Sequence, residues 1–220
     1  MLLFQPRFTR TAALTTIVYF VAEWVASASW RGHYGYRDNP VGPLGVKYCG
    51  AQGELPCSAI YPVMDSALIV TGLAIVAVAL SWVVRGIAGP PHGLLLTAAG
   101  IGLAGSGIFT EQFRYPLYAA AITVFLVLGP VGILLVGTGG SAQLTSTAKR
   151  FATLAGVAGI VGYVGYASGA TTLLGAGGSQ RLAIYSVLIA VIVVGTARPA
   201  PVDPAAQQSI ETPDQVVAGP

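Results

Sequence analysis

Six long apolar runs organise the chain, beginning after Arg10 and again at Tyr61, Leu94, Tyr115, Phe151 and Leu182. Each approaches the ~20 residues with which a helix crosses about 30 Å of hydrocarbon. Hydrocarbon offers no water to backbone N–H and C=O groups, so each run must satisfy them internally, as a helix. The expected fold class is therefore all-α: an integral membrane bundle of six transmembrane helices. They run roughly from Thr11 to Trp30, Pro62 to Val84, Leu94 to Phe109, Tyr115 to Gly137, Phe151 to Ala170 and Leu182 to Ala197.

Little is left over for a soluble domain. Residues 1–198 form the transmembrane unit, with one long connector at 31–61. Residues 199–220, rich in Pro and Ala and carrying Asp203, Glu211 and Asp214, read as a disordered cytoplasmic tail. Only 9% of residues are charged, against about a quarter in soluble domains, and mean hydropathy is +0.72. The net charge of +3 comes from 11 basic and 8 acidic side chains, most of them at the edges of apolar runs. No basic patch exists to bind nucleic acid, so the expected partners are membrane lipids or a membrane protein.

An even number of spans puts both termini on one side. With the N-terminus cytoplasmic, Arg7, Arg10, Arg85, Lys149, Arg150 and Arg198 lie inside and Arg31, Arg37, Lys47, Arg114 and Arg181 outside, a small inward excess. Cys49 and Cys57 both fall in the long connector, where a disulfide requires the oxidising side. The two arguments agree on a cell-membrane protein with both termini cytoplasmic and the connector outside. Two free thiols are the alternative at the cysteines. A second alternative is a cleaved leader, since Ala26-Ser27-Ala28 has the small residues of a signal-peptide site, although Glu23 and Trp24 are poor neighbours for one.

Motifs cluster at the span boundaries: Asn39-Pro40-Val41-Gly42-Pro43-Leu44-Gly45, then Cys49-Gly50, Cys57-Ser58 and Met64-Asp65. Gly107-Ile108-Phe109-Thr110-Glu111 ends the third span, and Gln180-Arg181 with Tyr185-Ser186 opens the sixth. In this order they resemble the family catalogued as domain of unknown function 998, six-span membrane proteins of bacteria and archaea. The family pattern reads Asn-Pro-Ile-Ser-Asp-Leu-Gly, Cys-Gly, Cys-Ser-Pro, Met-Asn, Phe-Pro-Glu, Glu-Arg and Tyr-Pro. Here Gly42-Pro43 replaces Ser-Asp, Asp65 replaces Asn and Gln180 replaces Glu. The resemblance extends to Arg198 and implies a fold, but no activity.

Chemistry must be sought among the few ionisable groups inside the bilayer, each of which costs at least ~2.5–3.5 kcal/mol there and so needs a partner or a water-filled cavity. Glu23 lies ~20 Å up the first helix from Arg10, and Asp65 just inside the second. Glu111, Arg114, Arg181 and Tyr185 fall on the same outer side. The expectation is an outward-facing cluster in which Glu23 or Asp65 pairs with Arg181, roofed by the connector with Tyr34, Tyr36 and Tyr61. Such a cluster suits the head group of a lipid or other amphiphile, or a membrane partner. The plainer alternative makes Glu111, Arg114 and the tyrosines an ordinary interface belt.

The fifth span repeats glycine at 156, 159, 162 and 165, which favours close helix packing inside the monomer over a dimer seam. Oligomeric state is not legible. His33 and His92 fall on opposite sides, so no metal site and no cofactor is expected. The serines have no histidine base, so no catalytic residue is assigned and an enzyme ranks last. A small secondary transporter is the alternative to a binding protein: Pro130 interrupts the fourth span, and the glycine-rich third and fifth spans are able to unwind.

Overall fold

The computed structural model describes residues 3, 5–30, 32–47, 57–139, 141–169 and 172–197. Cys49 and the expected tail at 199–220 lie outside the described residues. The described helices are α1 (Pro6–Thr15), α2 (Ile17–Ala28), α3 (Tyr61–Val84), α4 (Pro90–Ile108), α5 (Tyr115–Thr138), α6 (Ser146–Ala167) and α7 (Gly175–Thr196). Because α1 and α2 continue one another as a single rod, Pro6–Ala28, the bundle has six rods. The joint falls at buried Thr16, whose hydroxyl donates to the Ala13 carbonyl at 2.7 Å, a back-bond that bends helices.

Four rods, Pro6–Ala28, α3, α5 and α7, are long and apolar enough to cross a membrane. The other two are diluted by glycine, yet their exposed faces are as apolar as the rest. Leu94, Ile101 and Ile108 stand exposed along α4, and Leu154, Val157, Val161 and Val164 along α6. An apolar band of this extent is matched to hydrocarbon rather than to water. The glycines face inward. A Cβ on Gly100 would sit 2.7 Å from the Gly72 carbonyl oxygen, so α3 and α4 touch backbone to backbone. On α6, Gly156 abuts Leu134, Gly159 abuts Pro130 and Gly162 abuts Ala183, so the glycine stripe is spent on α5 and α7 within the chain.

Each helix from α3 to α7 packs on the next, and the first rod closes the bundle by lying against both α3 and α7. Tyr19, Met64, Trp82, Leu103, Phe125 and Leu188 fill the interior. The helices begin earlier than the apolar runs do. Pro90 starts α4 four residues before Leu94, and α6 starts at Ser146, where Thr145 accepts from Ala148 N at 3.3 Å as its cap. Pro130, expected to interrupt the fourth span, lies buried inside an unbroken α5.

The connector folds onto the end of the bundle where α2, α4 and α6 finish. Its neck is held by Ser58, whose hydroxyl donates to the Ala26 carbonyl at 2.9 Å while Trp30 and Ser58 form an antiparallel bridge. A short 3-10 turn, Gly42–Gly45, then lies across α3. Cys57 is buried and is not a free thiol. Its expected bridge runs to Cys49, outside the described residues.

Candidate functional site

At the connector end of the bundle two acids from different elements meet opposite fates. Glu23, one turn before the end of α2, is 1% exposed, and Arg181, in the second turn of α7, is 4% exposed. Arg181 Nε donates to Glu23 Oε1 at 2.6 Å, and the Tyr185 hydroxyl, one turn further along α7, donates to Oε2 at 2.7 Å. Both carboxylate oxygens are thereby taken. Arg181 Nη1 donates to the carbonyls of Tyr36 and Asn39, each at 2.7 Å, and Nη2 donates to the Tyr34 hydroxyl. Tyr34 and Tyr36 also lay their rings near the guanidinium, with centroids 5.4 and 4.9 Å from Cζ. Burial pushes the Tyr34 phenol up to about 12 against the opposing pull of Arg181, so it stays neutral, accepting from Arg181 with the Asn39 and Pro40 carbonyls 3.4 and 3.3 Å away to take its proton.

A buried ion pair repays its desolvation only when every remaining donor and acceptor is satisfied, and this one comes close to that limit. Its geometry requires the connector backbone to lie directly on α7, which explains the glycine-rich start of that helix. A Cβ on Gly175 would collide with the Arg37 carbonyl and one on Gly177 with the Asn39 carbonyl. Gly178 N in turn donates to Arg37 O at 2.8 Å, and Gln180 Oε1 accepts from Val41 N at 2.8 Å. Arg181 is thus the bolt that fixes residues 36–41 of the connector, with all three of its nitrogens engaged.

The second acid, Glu111, stands in the α4–α5 connector. Its Oε2 is buried with no hydrogen-bond partner among the described residues. It opens onto a cavity of about 270 Å³ between the Pro40–Pro43 segment, α5, α6 and α7, floored by Ala119, Ile122 and Leu126 and rimmed by Tyr115, Tyr118, Tyr166 and Gln180. Tyr118 and Tyr166 both lie within electrostatic reach of Glu111 and of Tyr115. Burial pushes the Glu111 carboxyl above the usual carboxylate range. Gly42 borders this cavity, since a Cβ there would lie 2.5 Å from Glu111 Oε2 and collide with the Tyr118 hydroxyl. A larger groove of about 460 Å³ between α2 and α3 is lined by valines and alanines with Pro62 and Ser66, an apolar seam without charge.

A family model described as protein of unknown function (DUF998) matches residues 13–197. The chain belongs to the DUF998 family. No curated protein and no solved structure matches it.

In this DUF998 protein the site residues expected from sequence therefore separate. Glu23, Arg181 and Tyr185 come together, under Tyr34 and Tyr36. Tyr61, expected in that roof, instead opens α3, and the connector groups that meet Arg181 are those of Tyr34, Tyr36 and Asn39. Asp65 sits apart against the 3-10 turn, where a Cβ on Gly45 would collide with its Oδ1. Glu111 belongs to the cavity. Arg114 caps α5 through its carbonyl, which accepts from Leu117 N and Tyr118 N at 3.0 Å, and its side chain is exposed rather than in the cavity wall. Tyr118, Gln180 and Gly42 were not singled out by charge. The only sequence signal for the last two was that both depart from the DUF998 pattern.

No group of three or more His, Cys, Asp or Glu able to hold a metal ion occurs among the described residues. The arrangement supplies one carboxylate, three phenols, the Thr123 hydroxyl, the Gln180 amide and an apolar floor, which is equipment for binding.

Proposed function

We propose that this DUF998 protein binds an amphiphile drawn from the membrane, holding its polar head at Glu111 in the cavity roofed by the Pro40–Pro43 segment. One observation carries the reading: a carboxylate oxygen buried without a partner on the wall of a cavity of about 270 Å³. Buried polar atoms in native proteins are overwhelmingly paired, and an unpaired one costs about 1–3 kcal/mol or more when charged. The missing partner belongs in the cavity. Its volume falls below the ~300–1,000 Å³ of sites for drug-sized ligands, which fits a head group with its tail left among the helices.

In this reading the cavity faces outward, both termini are cytoplasmic, a Cys49–Cys57 bridge staples the connector above the site, and membrane lipid is the partner. Secondary transport has less support, because Glu23 is locked to Arg181 and has no freedom to carry an ion. Native mass spectrometry of the protein in a nonionic maltoside detergent tests the reading. The expected result is a bound species of discrete mass that Glu111→Gln no longer retains. The same adducts in both proteins would reduce the cavity to packing.

A further inference from the structure

Resting on that reading of the cavity, we infer that the group held at Glu111 is an organic ammonium ion, either free or at the end of an apolar tail. The wall decides the sign. Glu111 is the only ionisable side chain other than tyrosine among the described residues lining the cavity, with no lysine, arginine or histidine there to meet a phosphate or carboxylate. An anionic head would set like charge against an unpaired carboxylate in a desolvated site. Arg114, the nearest cation in sequence, is exposed and outside that wall, and Arg181 is bound to Glu23 and the connector.

The aromatic groups point the same way. Tyr115, Tyr118 and Tyr166 enter from two different helices around one acid. Ring faces attract a cation most strongly where it is shed of water, and clustered aromatic side chains are how proteins recognise quaternary ammonium groups. The ammonium supplies the charge partner that Glu111 Oε2 lacks. Ala119, Ile122 and Leu126 meet the carbons attached to it.

Gly42 offers a second handle on the site, independent of charge. Its bare Cα lets the connector lie directly against Glu111 Oε2 and the Tyr118 hydroxyl, so any side chain at 42 displaces the two groups that would face the cation. Its φ is not in the left-handed region, so alanine is permitted by the backbone.

The experiment is a binding titration of the full chain in maltoside micelles, with four probes: dodecyltrimethylammonium, tetramethylammonium, dodecanol and dodecyl phosphate. The inference expects saturable one-to-one binding of the first, weakened about ten- to hundredfold by Glu111→Gln and by Gly42→Ala. Circular dichroism confirms that each variant is folded, and Glu111→Gln, nearly isosteric, serves alone if Gly42→Ala is not. Tetramethylammonium binding as well as its tailed relative identifies a free small amine, and binding of the tailed probe alone identifies an amphiphile head. Equal binding of dodecanol and dodecyltrimethylammonium, or tighter dodecyl phosphate, overturns the cationic assignment while leaving the cavity as the site, provided Gly42→Ala still blocks it. Binding of no probe, or binding indifferent to both substitutions, overturns the cavity as well.

Discussion

Glu23 and Glu111 lie at the same end of one bundle and differ in what surrounds them. Glu23 is 1% exposed, with one oxygen on Arg181 and the other on Tyr185. Glu111 lies partly open, with one oxygen that has no hydrogen-bond partner among the described residues. Depth alone would rank Glu23 as the functional acid, since an ionised group inside a membrane normally marks a site. Partnership reverses the ranking: a saturated buried pair is a fastener, and an unsaturated carboxylate beside a cavity is free to take a ligand.

The contrast is broken most severely from the Arg181 side. Arg181→Ala leaves Glu23 buried and unpaired and releases the Tyr36 and Asn39 carbonyls, a cost of about 3–5 kcal/mol. Thermal unfolding in detergent should show a large drop in midpoint, and limited proteolysis should cut the freed connector first. Glu23→Gln should destabilise in the same direction by less, because the amide still offers an oxygen to Arg181. Unchanged stability in both variants would mean the pair is tolerated rather than structural.

Tyr185→Phe removes a single donor from Glu23 Oε2 and should cost about 1.5–3 kcal/mol, a hydrogen bond to a charged group, with the fold retained. The smallest effect belongs to Glu111. Its folded carboxyl is raised by burial above the unfolded value, so the native state holds its proton more tightly. The resulting stability is fully present below the ordinary carboxylate pKa and is lost as pH rises through the raised one. The groups facing it, Tyr115, Tyr118 and Tyr166, add no carboxylate and no cation to the cavity wall. Melting curves from about pH 4 to about pH 8 should therefore decline in the wild type and be flatter in Glu111→Gln. A bound ammonium ion should restore the loss at the upper end.

The rods were legible because membrane helices announce themselves by apolar run length. Their starts were less so: the first turns of α4, α6 and α7 are proline, serine or glycine, residues a hydropathy reading assigns to loops. The glycine face of α6 was read correctly as packing inside the chain, since Gly156, Gly159 and Gly162 recur at helical spacing. The cost of burying charge called for a partner to Arg181 but left Glu23 and Asp65 as equal candidates, and the fold brings Glu23 to it. What the sequence does not show is saturation. Two of the groups that fill Arg181 are backbone carbonyls, of Tyr36 and Asn39, and no residue type encodes a carbonyl. Glu111 was in view from the start, but its cavity depends on Gly42 having no side chain and on Tyr166 arriving from α6. Such absences and long-range meetings are properties of the fold.

The most direct test sets Tyr185→Phe beside Glu111→Gln, measuring in each both the retained small molecule by native mass spectrometry and the unfolding midpoint near neutral pH. The account predicts opposite losses: Tyr185→Phe melts lower and keeps the bound species, whereas Glu111→Gln loses the species without melting lower than the empty wild type. Loss of the species in Tyr185→Phe with full retention in Glu111→Gln would contradict it, and would return the binding role to the Glu23–Arg181 pair.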